Sequence, residues 1–223
     1  KVDWPAHSAM SSHDALMVAS GITTVLDAVA LGDVRDGGDR LENLEKMIGA
    51  IEHSERLGVN RAEHRLHLRC ELPHHSTLPL FRELVERGRV SLVSLMDHSP
   101  GQRQFANLEQ YRIYYQGKYQ LSDADMARFE EEQLALAARW SQPNRQAIAA
   151  ECRERGIALA SHDDATAAHV DESHSIGSVI AEFPTTAEAA KASRERGLHV
   201  LMGAPNIVRG GSHSGYVAAQ SLA

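Results

Sequence analysis

Cysteine and positive charge are both scarce in this chain of 223 residues. The two cysteines, Cys70 and Cys152, form no CxxC pair, which excludes a disulfide framework and indicates buried thiols in a reducing compartment such as the cytoplasm. Lysine and arginine total 23 against 30 aspartate and glutamate residues, so the net charge of −7 offers no basic field to nucleic acid. An anionic substrate would therefore have to be held by local groups.

Long apolar runs and aromatic residues are also rare. The most apolar stretch, residues 21–32, has 12 residues and is interrupted by Asp27, whereas a membrane span needs about 20. The hydrophobic fraction of 43% and the charged fraction of 24% are those of a globular protein, so we expect neither disorder nor a membrane partner. Histidine is abundant instead: the 13 His residues outnumber the Trp, Tyr and Phe residues together, a first indication of metal or proton chemistry.

Amphipathic helices alternate with short strands along the chain. Residues 39–57 carry one apolar stripe that ends at Gly58, and residues 64–72 then alternate apolar and polar side chains with the period of a strand. Similar units recur, and a strand that leads into helical sequence is typical of a parallel α/β sheet. Six strands are predicted, at residues 23–29, 64–72, 90–96, 157–161, 179–183 and 198–202.

Two α/β architectures fit this order of elements. A doubly wound sheet would be favoured by a glycine-rich phosphate turn after the first strand, and the sequence there has neither GxGxxG nor GxxxxGK. We therefore favour a TIM-like (β/α)8 barrel, which needs eight units, and interpret residues 1–223 as one partial domain that lacks the first and last strands. Residues 102–142 are predicted to be a helical insertion that covers the active site, because they are too long for an ordinary loop. Ser122 and Asp125 predict a capped helix start within it, and Pro143 predicts the first turn of a further helix that ends at Gly156.

Carboxylates and imidazoles follow several of the predicted strands. In both architectures the carboxyl ends of parallel strands form the ligand site, so these side chains are expected to meet. A single Asp or His at a strand end is more often a helix cap or a solvated loop residue, but a group of them suits a divalent metal. The candidates are Glu71, Asp97, His98, His162, Asp163 and Glu182.

A glycine-rich segment near residue 210 is the second candidate. Adjacent glycines let backbone amides converge on an anion, and a neighbouring guanidinium can bind phosphate oxygens two at a time. A helix beginning after residue 214 would direct its positive end to the same place, although a flexible loop explains the composition equally well. The predicted phosphate or phosphonate ligands are Asn206, Arg209, Gly210, Gly211, Ser212 and His213.

Several long runs resemble one known family. The segments RAEHRLHLRCELPHH, LVSLMDHSPGQRQFANLEQY, ALASHDDAT, SVIAEFPTT and LMGAPNIVRGGSHSG resemble the PhnM family of phosphonate metabolism, a branch of the amidohydrolase superfamily. The resemblance implies a metal-dependent hydrolase that releases pyrophosphate from α-D-ribose 1-methylphosphonate 5-triphosphate in the carbon–phosphorus lyase pathway.

The same resemblance assigns roles to the strand-end residues. It implies that Glu71 and His162 bind one or two ions of Zn, Mn or Mg, with Glu182 where the superfamily usually has a histidine. Asp97, His98 and Asp163 are then candidates for orienting ligands or moving protons. The implied H-x-D strand precedes residue 1 and the implied catalytic aspartate follows residue 223, so we expect the isolated chain to be inactive.

Two other functions stay open from the sequence. One is an amidohydrolase acting on a C–N bond, such as a deacetylase or cyclic amidase, and the other is a non-catalytic barrel subunit. Metal content together with pyrophosphate release from the complete protein would separate these functions from the diphosphatase. Assembly into a homo-oligomer is compatible with all three.

Overall fold

The computed structural model describes residues 5–34, 39–212 and 216–222, without the side chains of residues 39–42. Its strands are β1 (Thr24–Leu31), β2 (Glu63–Glu71), β3 (Val90–Met96), β4 (Ala158–His162), β5 (Ile180–Glu182) and β6 (His199–Leu201). Its α-helices are α1 (Ala6–Ala19), α2 (Asp39–Arg56), α3 (Thr77–Arg87), α4 (Leu108–Tyr119), α5 (Asp123–Arg155), α6 (Ala167–Ser175), α7 (Ala187–Glu195) and α8 (Ala204–Arg209). Short 3-10 helices span Arg103–Phe105 and Ala219–Leu222. No helix among the described residues is both long and apolar enough to cross a bilayer.

The six strands form one parallel sheet in the order β1-β2-β3-β4-β5-β6. All six predicted strands are confirmed, with bounds that differ by at most two residues. The order follows the chain and never reverses, unlike that of a doubly wound sheet. This parallel α/β sheet with alternating helices is consistent with part of a TIM-like barrel.

Strand β2 explains how the sheet separates its core from its site. Leu66, Leu68 and Cys70 are almost fully buried in the apolar cluster that packs against the helices. The alternate residues His67 and Glu71 are also buried, on the opposite face. Because successive side chains of a strand point to opposite faces, the two-residue period separates an apolar helix-facing side from a polar interior side.

Helix α5 corrects one prediction. A helix start was expected at Pro143, but α5 runs unbroken through that residue for 33 residues. The helix begins at Ser122, whose side-chain oxygen accepts a hydrogen bond from the Asp125 N–H (3.2 Å), and ends at Gly156 in the left-handed conformation. Buried residues on both sides of the proline, such as Phe129 and Ile148, anchor the helix, and this packing outweighs one missing backbone hydrogen bond.

Two consecutive units have the same layout, offset by 20 residues. Each strand, β4 and β5, is followed by a non-glycine residue with positive φ, Asp163 (57°) and Phe183 (55°). Each next helix is then capped by a threonine, Thr166 before α6 and Thr186 before α7. The paired layout places the last residues of β4 and β5 side by side, with His162 in register with Glu182.

Candidate metal centre and adjoining cleft

Three side chains converge at the carboxyl ends of β3 and β4. His98, His162 and Asp163 each offer one ligand atom, and these atoms all lie within 4.8 Å of one another. The Oδ2 atom of Asp163 is 3.5 Å from Nε2 of His162 and 3.9 Å from Nε2 of His98. These three residues are called the triad below.

Each histidine of the triad contacts a buried glutamate through its Nδ1 atom. Nδ1 of His98 lies 2.6 Å from Oε2 of Glu71, whose other oxygen accepts the His98 backbone N–H at 3.1 Å. Nδ1 of His162 lies 3.1 Å from Oε2 of Glu182. With both Nδ1 atoms occupied by carboxylates, both Nε2 atoms face Asp163. Metal-binding histidines are commonly oriented in this way.

Glu182 is itself embedded in polar contacts. Burial alone would raise the pKa of the Glu182 carboxyl, but hydrogen bonds from His162 and Ser94 and the nearby charge of His67 bring the pKa below its usual range. The Ser94 hydroxyl donates to Oε2 of Glu182 at 2.5 Å, and Nε2 of His67 lies 3.7 Å from Oε1. An ionised glutamate at this position favours an N–H on the facing nitrogen of His162.

The donor set of the triad fits a divalent ion. Two imidazole nitrogens and one carboxylate oxygen are ligands that zinc accepts, and manganese also accepts nitrogen and oxygen donors. One contact competes with such an ion, because Nη2 of Arg69 donates a hydrogen bond to Nε2 of His162 at 3.1 Å. A metal bound by the triad would replace Arg69 as the partner of that nitrogen.

The predicted ligands of the metal occupy two different positions in the structure. Glu71, His162 and Glu182 were the expected ligands, yet only His162 belongs to the triad, and the two glutamates each contact one of its histidines. His98 and Asp163, expected to orient ligands or to move protons, are the other two members. The strand-end pattern predicted that these five residues would lie close together, as they do, but it carries no information on which nitrogen of a histidine faces which carboxylate.

Asp97 lies in a different environment from the triad. Its Oδ1 accepts the Ser99 hydroxyl at 2.5 Å, and its Oδ2 is 3.5 Å from Nη2 of Arg145. It thereby joins a buried ionic cluster that links the segment after β3 and helix α5 to helix α6. We define the ionic cluster as Asp97, Arg103, Arg145, Asp164 and Glu172.

Arg103 is the centre of the ionic cluster and was missed by sequence analysis. Its guanidinium contacts Asp164 and donates to Oε2 of Glu172 at 2.6 Å, and the residue is only 2% exposed. Burial, followed by the charge of Arg145, lowers the pKa of Arg103 to about 10. Arg103 lies in a polar stretch of the sequence, where an arginine is expected to be exposed to solvent. No local pattern therefore indicated that it is buried.

Aromatic residues of the predicted insertion pack against the triad. The rings of Phe105, Tyr111, Tyr115 and Phe129 contact one another with centroids 4.7–6.4 Å apart. The Phe105 ring is also 6.2 Å from the ring of His98. Burial, with the charge of Glu71 as the next cause, raises the pKa of Tyr115. These contacts place the group of four aromatic rings directly beside the candidate metal centre.

A cleft of about 350 Å³ opens on the other side of Asp163. Four of the six predicted phosphate ligands line it. The lining includes Asp163, Phe183, Asn206, Arg209, Gly211 and Ser212. Gly210 is adjacent to this set in sequence, and His213 lies outside the described residues. Since Asp163 belongs to both the triad and the cleft, the two sites are continuous.

The backbone of the cleft differs from the predicted loop. Residues Ala204–Arg209 form helix α8, which ends at Gly210 with φ of 73°. A Cβ atom at Gly210 or Gly211 would meet no atom within 4 Å. The presence of glycine at position 210 is therefore explained by its positive φ and not by a close contact with other atoms. The helix expected after residue 214 is replaced by irregular backbone over 216–218 and a 3-10 helix from Ala219 to Leu222.

Asn206 and Arg209 have different surroundings within the cleft. The Asn206 amide donates to the Val217 carbonyl at 3.1 Å and accepts the Ala219 N–H at 2.9 Å, so it braces the chain end. The side chain of Arg209 is exposed, and it forms no hydrogen bond or ion pair with another residue that the structure describes. Of the two side chains, Arg209 is the one available to a ligand.

The fold and the site together define an α/β protein with a candidate divalent-metal centre at the carboxyl edge of a parallel sheet. Over all 223 residues, the chain is 82% identical to the alpha-D-ribose 1-methylphosphonate 5-triphosphate diphosphatase of Escherichia coli (strain K12). It spans 59% of the length of that protein, and it matches no protein-family profile. The identity confirms the resemblance predicted from the sequence, and it extends from the first residue of the chain to the last.

Proposed function

We propose that the protein carrying this chain is a metal-dependent diphosphatase that releases pyrophosphate from α-D-ribose 1-methylphosphonate 5-triphosphate. The observation that carries this proposal is a sequence identity of 82%, over the full length of the chain, to an enzyme named for that activity. The continuity of a candidate metal centre with a cleft that contains an arginine supports it physically. The identity favours neither hydrolysis of a C–N bond nor a non-catalytic subunit.

The triad would hold the divalent ion, which can be Zn, Mn or Mg. When bound, the ion would lower the pKa of a coordinated water and neutralise charge on phosphoryl oxygens. Glu71 and Glu182 would orient the two imidazoles, and a second ion would need further ligands, for which these two glutamates are carboxylates already in contact with the triad. The carboxylate of Asp163, a residue of both the triad and the cleft, is the group placed to accept a proton.

The cleft would bind the charged groups of the substrate. The fork of Arg209 can bind two phosphate oxygens, with the hydroxyl of Ser212 and the backbone of Gly211 beside it. His213 remains part of this proposal. Such local groups are needed because a net charge of −7 attracts no polyanion from a distance.

Two features of the architecture complete the proposal. The unreversed order of six parallel strands supports a barrel of the amidohydrolase type, which further strands would close. The contact between Phe105 and His98 supports a covering role for residues 102–142, since an apolar cluster beside a metal centre excludes water. A reducing compartment such as the cytoplasm suits Cys70 and Cys152, which are both buried free thiols.

The test is product analysis with the complete protein. The 5-triphosphate substrate is incubated with metal-loaded protein, and the phosphorus products are resolved by nuclear magnetic resonance. We expect pyrophosphate and the 5-monophosphate in equal amounts, and loss of turnover when a chelator removes the metal. Release of orthophosphate with a 5-diphosphate intermediate, or no turnover by metal-loaded protein, would contradict the proposal.

A further inference from the structure

Arg69 is a cation of the site that has no counterion among the residues that the structure describes. It lies on β2 two residues before Glu71, faces the same side of the sheet, and is half-buried. It donates a hydrogen bond to Nε2 of His162, an acceptor that carries no negative charge. Among the described residues, Arg69 has no ion pair with a carboxylate. The two arginines of the ionic cluster are each paired with acidic side chains.

A guanidinium that is half-buried without an anion is unfavourable unless a ligand supplies one. The charge of Arg69 is felt inside the site: burial lowers the pKa of His67, and the Arg69 charge lowers it further, against the raising effect of Glu182. A neutral imidazole can occupy only one of the five N–H groups of an arginine. The remaining donors form a planar fork that matches phosphate oxygens.

Arg69 and a metal ion compete for one atom, Nε2 of His162. When an ion takes that nitrogen, the Arg69 fork is released, but its backbone stays fixed between β1 and β3 by the register with Ala30 and Ser94. The released guanidinium therefore remains beside the triad. A phosphoryl group bound at the metal would be the anion within its reach.

We propose that Arg69 binds a phosphate oxygen of an oligophosphate ligand at the triad. The inference rests on the proposed function and deepens it. It divides the anion binding into two parts, with Arg69 on the phosphoryl group next to the metal and Arg209 on the groups that occupy the cleft.

The probe is inorganic pyrophosphate, titrated calorimetrically into the complete protein after it has been loaded with zinc. Arg69→Gln keeps a donor for His162 but loses the charge, and Arg69→Met loses both. We expect each variant to bind pyrophosphate about 10- to 100-fold more weakly than the wild type, the scale of a charged hydrogen bond. Arg65→Gln is the matched control, because Arg65 lies on the same strand but is exposed and paired with Glu63.

A zinc titration of the same proteins, after their metal has been removed, gives a second readout. Removing the competing donor should leave zinc affinity equal to or higher than that of the wild type in Arg69→Met. If Arg69→Met does not fold, Arg69→Gln decides alone, since it retains the contact with His162. Pyrophosphate affinity in Arg69→Gln equal to that of the wild type would overturn the proposal.

The outcome is separable from that of the proposed function. Normal pyrophosphate release with unchanged binding in Arg69→Gln would refute the role of Arg69 and leave the diphosphatase intact. Binding that depends on Arg69, in a protein that releases no pyrophosphate from the 5-triphosphate, would support the anion site and refute the reaction.

Discussion

At the scale of single residues, the site is organised by pairs. Each triad histidine has one nitrogen on a buried glutamate and the other toward Asp163, so its role depends on a partner from a neighbouring strand. This arrangement makes the glutamates testable as orienting groups rather than as ligands.

Glu71→Gln removes the charge that holds His98. We expect metal affinity to fall by about 10- to 100-fold, the effect of losing an orienting partner, whereas loss of a true ligand would abolish binding. Zinc titration followed by elemental analysis measures the difference. Glu83→Gln, an exposed change on α3, is the control, and unchanged affinity in Glu71→Gln would exclude both roles.

Arg209→Lys keeps the positive charge in the cleft but loses the bidentate fork. We expect weaker substrate binding by about 1–3 kcal/mol, seen as a higher KM, with metal content and the thermal midpoint unchanged. Steady-state kinetics and calorimetry on one preparation provide both quantities. A lower thermal midpoint with an unaltered KM would mean that Arg209 only supports the end of α8.

At the scale of elements, the ionic cluster connects helices that the sheet alone does not bring together. Arg103 begins the 3-10 helix that comes after β3, and Asp164 comes after β4, so their contact fixes the insertion relative to the loop that carries Asp163. The cluster is therefore expected to matter for stability as well as for the site.

Replacing Arg103 by Met would leave Asp164 buried and uncompensated. We expect the free energy of unfolding to fall by about 3–5 kcal/mol, the usual cost of breaking a buried pair. Arg112→Met is the matched control on α4, because the pair of Arg112 with Glu130 is exposed to solvent and should contribute little stability. Urea unfolding of both variants checks this, and equal losses would show that the cluster adds no special stability.

Helix α1 depends on one buried carboxylate. The backbone N–H of Ala62, followed by that of Arg61 and by His64, lowers the pKa of Asp14 against the effect of burial. A pKa that is lower in the folded state than its ordinary value of 3.8 adds stability above that value, and this contribution is lost as the pH falls through the folded pKa.

Asp14→Asn should therefore cost most stability near neutral pH. We expect the difference in unfolding free energy between wild type and variant to shrink once the pH falls below about 4, because Asp14 then becomes protonated in both states. Urea unfolding at a series of pH values measures the difference. A constant difference across the acid range would mean that Asp14 stabilises α1 through its shape and not through its charge.

The strands were predictable from the sequence, and the long-range polar contacts were not. An apolar run or a period of two identifies each strand locally, and strand ends indicated Glu71, His98, His162, Asp163 and Glu182 before any coordinates. The pairing of those residues, the path of α5 through Pro143, and the burial of Arg103 all depend on segments distant in the chain. Local patterns contain no information about such contacts.

At the scale of the whole molecule, the sheet has two open edges within the described part of the chain. Strands β1 and β6 each pair on one side only, and Leu26 of β1 and Leu201 of β6 are more than two-fifths exposed. Unpaired apolar edges promote association between chains.

The 223-residue chain expressed alone should therefore self-associate. We expect an apparent mass that rises with concentration in light scattering after size-exclusion chromatography, and a smaller rise for Leu26→Lys, which places a charge on the β1 edge. A constant monomer mass over the accessible concentrations would show that both edges are protected. Leu134→Lys, on the exposed side of α5, is the control for a charge added elsewhere.

The two left-handed residues that follow β4 and β5 differ in how much backbone strain they carry. Aspartate tolerates a φ near 57°, but a phenylalanine at 55° is an outlier, and a glycine at 183 would remove the steric conflict. The Phe183 ring lies edge-on to His162, with centroids 5.4 Å apart. The strained backbone at Phe183 therefore holds an aromatic ring against a histidine of the triad, at the expense of an easier turn.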